Sequence, residues 1–112
     1  MAREKFQTLT EQMFYILLCL RSECCGTDIM TMVKELTGGR VVVGPGTLYN
    51  LLESFQQAGM IQETKVEGRK RSYLITEAGQ KALEDEYRRL QTLAEDYRRL
   101  TAGEGGAGRC VM

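Results

Sequence analysis

The chain has 112 residues, with 15 lysines and arginines against 15 aspartates and glutamates, and it contains no histidine and no tryptophan. The lack of histidine removes the commonest metal ligand together with the commonest general base. The length is that of one domain, and so small a domain is marginal alone, so self-association would help it.

The longest apolar run, Met13 to Leu20, is far short of the roughly 20 residues that cross a membrane, and no small-residue cleavage site follows it. A cytosolic protein with no membrane partner is therefore expected. Cys19, Cys24, Cys25 and Cys110 form no CxxC pair, and they read as reduced cytosolic thiols. The sequence contains no nucleophile–base pair, no phosphate loop and no metal cluster, so neither an enzyme nor a bound cofactor is expected.

In chain order, LTEQMFYILLCLR opens a helix with Thr10 as N-cap and Glu11 in the first turn. Its apolar residues, Phe14 and Leu17 among them, cover most of the circumference, which calls for burial on more than one side. One side can face the core and another a second subunit. ECCGT reads as a turn. TDIMTMVKEL is a second helix, with Ile29, Val33 and Leu36 on one face, and the following Gly38 or Gly39 suits its C-cap. RVVV, at 40–43, is β-branched and reads as one small strand.

A third helix is predicted over 44–58. Pro45 fits its first position, where a missing N–H costs nothing, and Gly59 fits its exit. Leu48, Leu51, Leu52 and Phe55 make its buried face. Thr47, Tyr49, Asn50 and Ser54 remain for other faces, where they suit hydrogen bonding into a groove and equally suit plain solvent exposure.

MIQETKV and RSYLIT read as two strands of a hairpin with Gly68 in the turn. Thr76 then caps a long helix to about Thr101, with Glu84–Arg88, Asp85–Arg89 and Glu95–Arg99 spaced for i,i+4 pairing. Leu83, Tyr87, Leu90, Ala94 and Tyr97 step by 4, 3, 4 and 3, a heptad-like seam for a dimer. The Gly-rich end, 102–112, reads as a flexible tail.

Two helices followed by a hairpin make a winged helix-turn-helix, a mainly α (α+β) fold, over residues 1–76, with the helix at 77–101 completing the same globular unit. Helix 44–58 is then the major-groove element. The hairpin at 61–76 carries Lys65, Arg69, Lys70 and Arg71 against Glu63 and Glu67. Local segregation of charge, rather than the net value, decides binding. A basic hairpin by itself reads as a solvated turn that protects a sheet edge. Behind a helix-turn-helix it reads as a wing on DNA phosphates. By this reading Gly46 and the helix N-terminus approach a phosphate, and some of Thr47, Tyr49, Asn50 and Ser54 read bases.

The segments LTEQMFYILLCL, GPGTLYNLLESFQQAGMI and GRKRSYLITEAG, in that order, resemble the PadR family of transcriptional regulators, in its short class with a single C-terminal helix. The resemblance covers about residues 8–101. It implies a homodimeric DNA-binding repressor whose last helix is the dimerisation arm, with the first helix in the same interface. It further implies that Tyr49 and the start of the third helix approach DNA, and that a small-molecule effector binds between the subunits, as in some family members. Gly26-Thr27 stands where the family often has Gly-Tyr, and Ser72 replaces the first of the wing's usual aromatic pair. The competing expectation is a winged-helix protein-interaction module without DNA binding, which the zero net charge and the two wing glutamates would suit.

Overall fold

A computed structural model describes residues 8–102. The expected tail lies outside the described residues apart from Ala102. The first helix, α1 (Glu11–Cys19), starts where the Thr10 side chain accepts the Met13 N–H at 3.2 Å. Ile16, Leu17 and Leu20 are fully buried, while Met13, Phe14, Tyr15 and Leu18 pack half-buried against the same core.

The segment read as a turn instead contains β1 (Cys24–Cys25), which leads directly into α2 (Gly26–Leu36). Val41–Val43, expected to be a strand, form none. Val41 and Val43 are buried and Val42 is exposed. The Thr37 hydroxyl fixes this loop, donating to the Val33 carbonyl (2.8 Å) and accepting the Val41 N–H (3.0 Å). β-Branched residues meet the core here without a neighbouring strand to pair with, so their propensity yields to context.

The third helix, α3 (Pro45–Gln57), has Pro45 in its first turn and ends before Gly59, which takes φ +76°. The hairpin follows as β2 (Ile61–Glu67) and β3 (Lys70–Ile75), and then α4 (Glu77–Thr101). The sheet order is β1-β3-β2, antiparallel throughout. Cys24 pairs with Tyr73 and Cys25 with Ser72, so the two-residue β1 covers the outer edge of the wing. A bulge at Thr64 shifts the β2 register between Glu63 and Lys65.

The chain entering β2 is clasped by the start of α4. The Thr76 hydroxyl donates to the Gly59 carbonyl at 2.6 Å and the Thr76 N–H to the Met60 carbonyl at 2.9 Å. Thr76 also caps α4 by accepting the Gly79 N–H. A Cβ at Gly79 would stand 2.1 Å from the Met60 carbonyl oxygen, so only glycine permits this contact.

The first part of α4 buries Ala82, Leu83 and Glu86. Glu86 is 2% exposed; it accepts the Leu9 N–H (3.2 Å) and binds Arg89 through two nitrogens. From Tyr87 on, α4 leaves the core, and the protein measures 61 × 33 × 21 Å. The i,i+4 pairs expected on α4 are replaced mostly by i,i+3 pairs: Asp85–Arg88, Glu86–Arg89, Glu95–Arg98 and Asp96–Arg99. Lys81–Asp85 keeps the i,i+4 spacing. Both spacings bring side chains together on a helix, and here the burial of Glu86 draws Arg89 toward it.

Candidate nucleic-acid interface

The buried face of α3, Leu48, Leu52 and Phe55, locks the helix on the core and fixes what it presents outward. Gly46, Thr47, Tyr49 and Asn50 are exposed and Ser54 is half-buried. Thr47, Asn50 and Ser54 share one face by the helical period. Tyr49 turns away from them, over the start of α2: a Cβ at Gly26 would meet its hydroxyl oxygen at 2.7 Å and its ring at 3.0 Å.

Opposite Tyr49 stands the wing. Arg69, Lys70 and Arg71 line a cavity of about 370 Å³ whose other walls are Tyr49, Tyr73 and the Cys25–Thr27 segment. The recognition-type helix and the basic turn therefore face one recess. Arg71 is held by Glu63 across the hairpin at 3.0 Å. This sets Arg71 apart from Lys65, Arg69 and Lys70, because its charge is already compensated. Antiparallel pairing places Glu63 opposite Tyr73, so both partners of the ion pair lie on the Tyr73 face. Among the described residues Lys65, Arg69 and Lys70 make no ion pair. Lys65 pairs in register with Ser72 and so occupies the opposite face of the hairpin from Arg71.

The residues expected at a dimer interface divide into two groups. Leu17 is fully buried and Leu83 is 4% exposed within the protomer itself. Both belong to the core of the protomer, and Leu83 also lines the recess beside Phe14 and Tyr87. Phe14 is half-buried, and Tyr87, Leu90, Ala94 and Tyr97 are exposed. Leu93 and Leu100, absent from the expected seam, are exposed as well. Leu83, at the N-terminal end of that spacing, belongs to the core, while Leu93 and Leu100 are exposed along the same part of α4 as Leu90 and Tyr97.

The cysteines lie inside. Cys19, Cys24 and Cys25 are free and buried. Burial first, then Asp28, Cys19 and Cys25, pushes the Cys24 thiol up to about 11, and burial raises Cys19. Neither is poised as a thiolate at neutral pH. Among the described residues there is no cluster of histidine, cysteine or acidic side chains that could hold a metal. No helix of the described residues is long and apolar enough to cross a membrane.

A two-helix turn followed by a basic, β-edged hairpin is the architecture of a winged helix-turn-helix regulator. The sequence matches the transcriptional regulator PadR-like family over residues 16–85, and the chain belongs to that family, whose members are transcriptional regulators and not enzymes. It is 27% identical over 75 residues to the transcriptional regulator YqjI of Escherichia coli (strain K12), covering 67% of this chain and 36% of that protein. The chain thus spans about a third of its curated relative's length. Its fold is similar to a transcriptional regulator from Clostridium thermocellum, with a TM-score of 0.68, 22% identity, and 77% of this chain and 85% of that one covered. It is also similar to a PadR family transcriptional regulator from Eggerthella lenta, with a TM-score of 0.67, 18% identity, and 82% and 79% covered.

Proposed function

We propose that the protein is a sequence-specific DNA-binding repressor that acts as a homodimer, with α3 in the major groove and the wing on the DNA backbone. The observation that carries this reading is the shared recess. Tyr49 of α3 and the unpaired Arg69 and Lys70 line one cavity, so the third helix and the basic turn lie side by side, as base reading and phosphate anchoring require. Thr47, Asn50 and Ser54 meet base edges, Tyr49 flanks them, and Gly46 in the first turn of α3 approaches a phosphate.

The dimer reading is supported by Tyr87, Leu90, Leu93, Tyr97 and Leu100, which leave a large apolar stretch of α4 exposed on one protomer. Phe14 of α1 stands beside it, lining a cavity of about 320 Å³ with Leu90 and Glu86, and a second of about 170 Å³ with Tyr87. A second copy packing on α4 encloses these recesses and makes the space for a small effector between subunits.

The test is selection from a random-sequence duplex pool, followed by fluorescence anisotropy on the selected duplex. The expected result is an inverted repeat bound far more tightly than unrelated DNA at the same salt. The Glu63–Arg71 pair, which compensates one wing cation, favours a second reading, a protein-interaction module. A pool from which no duplex is enriched establishes that reading in place of the first.

A further inference from the structure

The recess between α3 and the wing contains groups that base reading does not use. The N-terminus of α2 opens there through Gly26 and Thr27. The N-cap of α2, Cys25, makes no side-chain capping hydrogen bond, and first-turn amides have no acceptor inside their own helix. Such an end attracts anions. Asp28 also belongs to this first turn, but it is exposed and does not line the recess.

Tyr73 supplies a second, independent observation. Its side chain is 5% exposed, lines the same recess, and makes no hydrogen bond among the described residues. Buried hydroxyls without a partner are uncommon and costly. Burial, and after it the charge of Glu63, raises the Tyr73 pKa, so the group stays protonated and available as a donor. On the rim Arg69 and Lys70 make no ion pair among the described residues, though Glu67 stands opposite Lys70 in register, whereas Arg71 is spent on Glu63. Gly26 permits the remaining wall, since any side chain there would strike the Tyr49 ring.

These donors converge from a helix end, a strand and a turn. A planar carboxylate presents oxygens in one plane, whereas a tetrahedral phosphate meets donors from three directions and takes both charge and hydrogen bonds. We propose that the recess is a seat for one phosphate group, held by the α2 N-terminus, the Tyr73 hydroxyl, Arg69 and Lys70. Its occupant as a DNA backbone phosphate rests on the DNA-binding reading above. A single phosphate gripped by both α2 and the wing fixes the spacing of the two elements on a duplex, which makes Tyr73 and Thr27 positioning residues for α3.

The experiment is a titration of the ¹⁵N-labelled protein with inorganic phosphate at constant ionic strength, followed by amide shifts. Saturable shifts centred on Gly26 and Thr27 are expected. Tyr73→Phe should weaken phosphate about fivefold, the loss of one hydrogen bond, and Arg69→Ala with Lys70→Ala should remove saturation. Gly26→Ala, which pushes the Tyr49 ring, provides a second variant should Tyr73→Phe disturb the fold, and it too should weaken binding. Shifts that do not saturate, or that saturate equally in both Tyr73→Phe and Gly26→Ala, overturn the seat. A mixed-sequence duplex at low salt forms the second arm. Duplex binding that leaves Gly26 and Thr27 unmoved overturns the seat and leaves the DNA reading standing. Phosphate binding without duplex binding upholds the seat, assigns it to a small phosphorylated ligand, and removes the DNA reading.

Discussion

Replacing Arg69 and Lys70 together by alanine separates an anchoring wing from a solvated turn. Both side chains are exposed, unpaired and on the rim of the recess beside Tyr49. Each phosphate contact releases condensed counterions, so log affinity against log salt has a slope of about 0.9 per contact. Two contacts per protomer in a dimer therefore lower the slope by about 3.6. Between 50 and 200 mM salt the wild type should lose about 150-fold more affinity than the variant. Phosphate contacts carry no direct sequence information, so the loss at fixed salt should be the same on the selected operator and on unrelated duplex. Anisotropy titrations at four or more salt concentrations read both quantities. The melting temperature should stay at the wild-type value, because exposed turn charges contribute little to folding. Glu63→Gln works in the opposite direction: it releases Arg71 from its 3.0 Å ion pair, and affinity for every duplex should rise with a steeper slope. Wild-type slopes in both variants would refute the assignment of the wing to the DNA backbone.

Tyr49→Ala should weaken operator binding more than non-specific binding in the same titrations, and equal loss on both would reassign Tyr49 to the backbone. Leu90→Glu places a charge in the exposed apolar stretch of α4 twice per dimer. Losing about 3 kcal/mol of burial weakens the dimer roughly 100-fold, and sedimentation at micromolar concentration should show monomer. Gly79→Ala drives a methyl against the Met60 carbonyl and should cost about 3 kcal/mol in urea unfolding, whereas a neutral outcome would mean the clasp between Thr76 and Met60 yields freely. The Cys24 thiol is pushed from its ordinary value of 9.0 to about 11. The unfolded chain then ionises first, so the contribution is whole below pH 9 and is lost between pH 9 and 11. Urea midpoints should fall over that window less steeply in Cys24→Ala than in wild type.

The parts of the fold legible in the sequence are those written in local signals. Thr10 and Thr76 cap their helices, Pro45 begins α3, and Gly59 and Gly68 take positive φ where the chain turns. Each depends on a residue and its next few neighbours. The parts that escaped depend on a partner far along the chain. Cys24–Cys25 are extended because the β3 edge at Tyr73 and Ser72 receives them, and two residues carry no periodicity from which a strand could be read. Val41–Val43 have strand propensity and no edge to join. Glu86 looks like any helical glutamate until Leu9, 77 residues away, donates its N–H. The bulge at Thr64, which sets Lys65 opposite Ser72 and off the face of Arg71, is not announced by the alternation of the strand.

The zero net charge of the chain, which taken alone argues against a nucleic-acid partner, conceals how its cations are distributed. Every basic residue of α4, namely Lys81, Arg88, Arg89, Arg98 and Arg99, lies against an acidic one on the same helix. Arg40 is likewise engaged, with Glu11 and the Tyr15 hydroxyl. At the distances where a phosphate would sense them these pairs behave as neutral dipoles, and ionic screening over about 8–10 Å removes most of what remains. Among the described residues Lys65, Arg69 and Lys70 make no ion pair, although Glu67 stands opposite Lys70 in register. The field near the wing is thus set by local charges that the global sum conceals. Shifting acids onto the wing should therefore weaken DNA binding, while the same number of acids added along α4 should leave it nearly unchanged. Paired charge-reversal variants at equal net charge, compared in one salt titration, test whether placement or total charge governs the interaction.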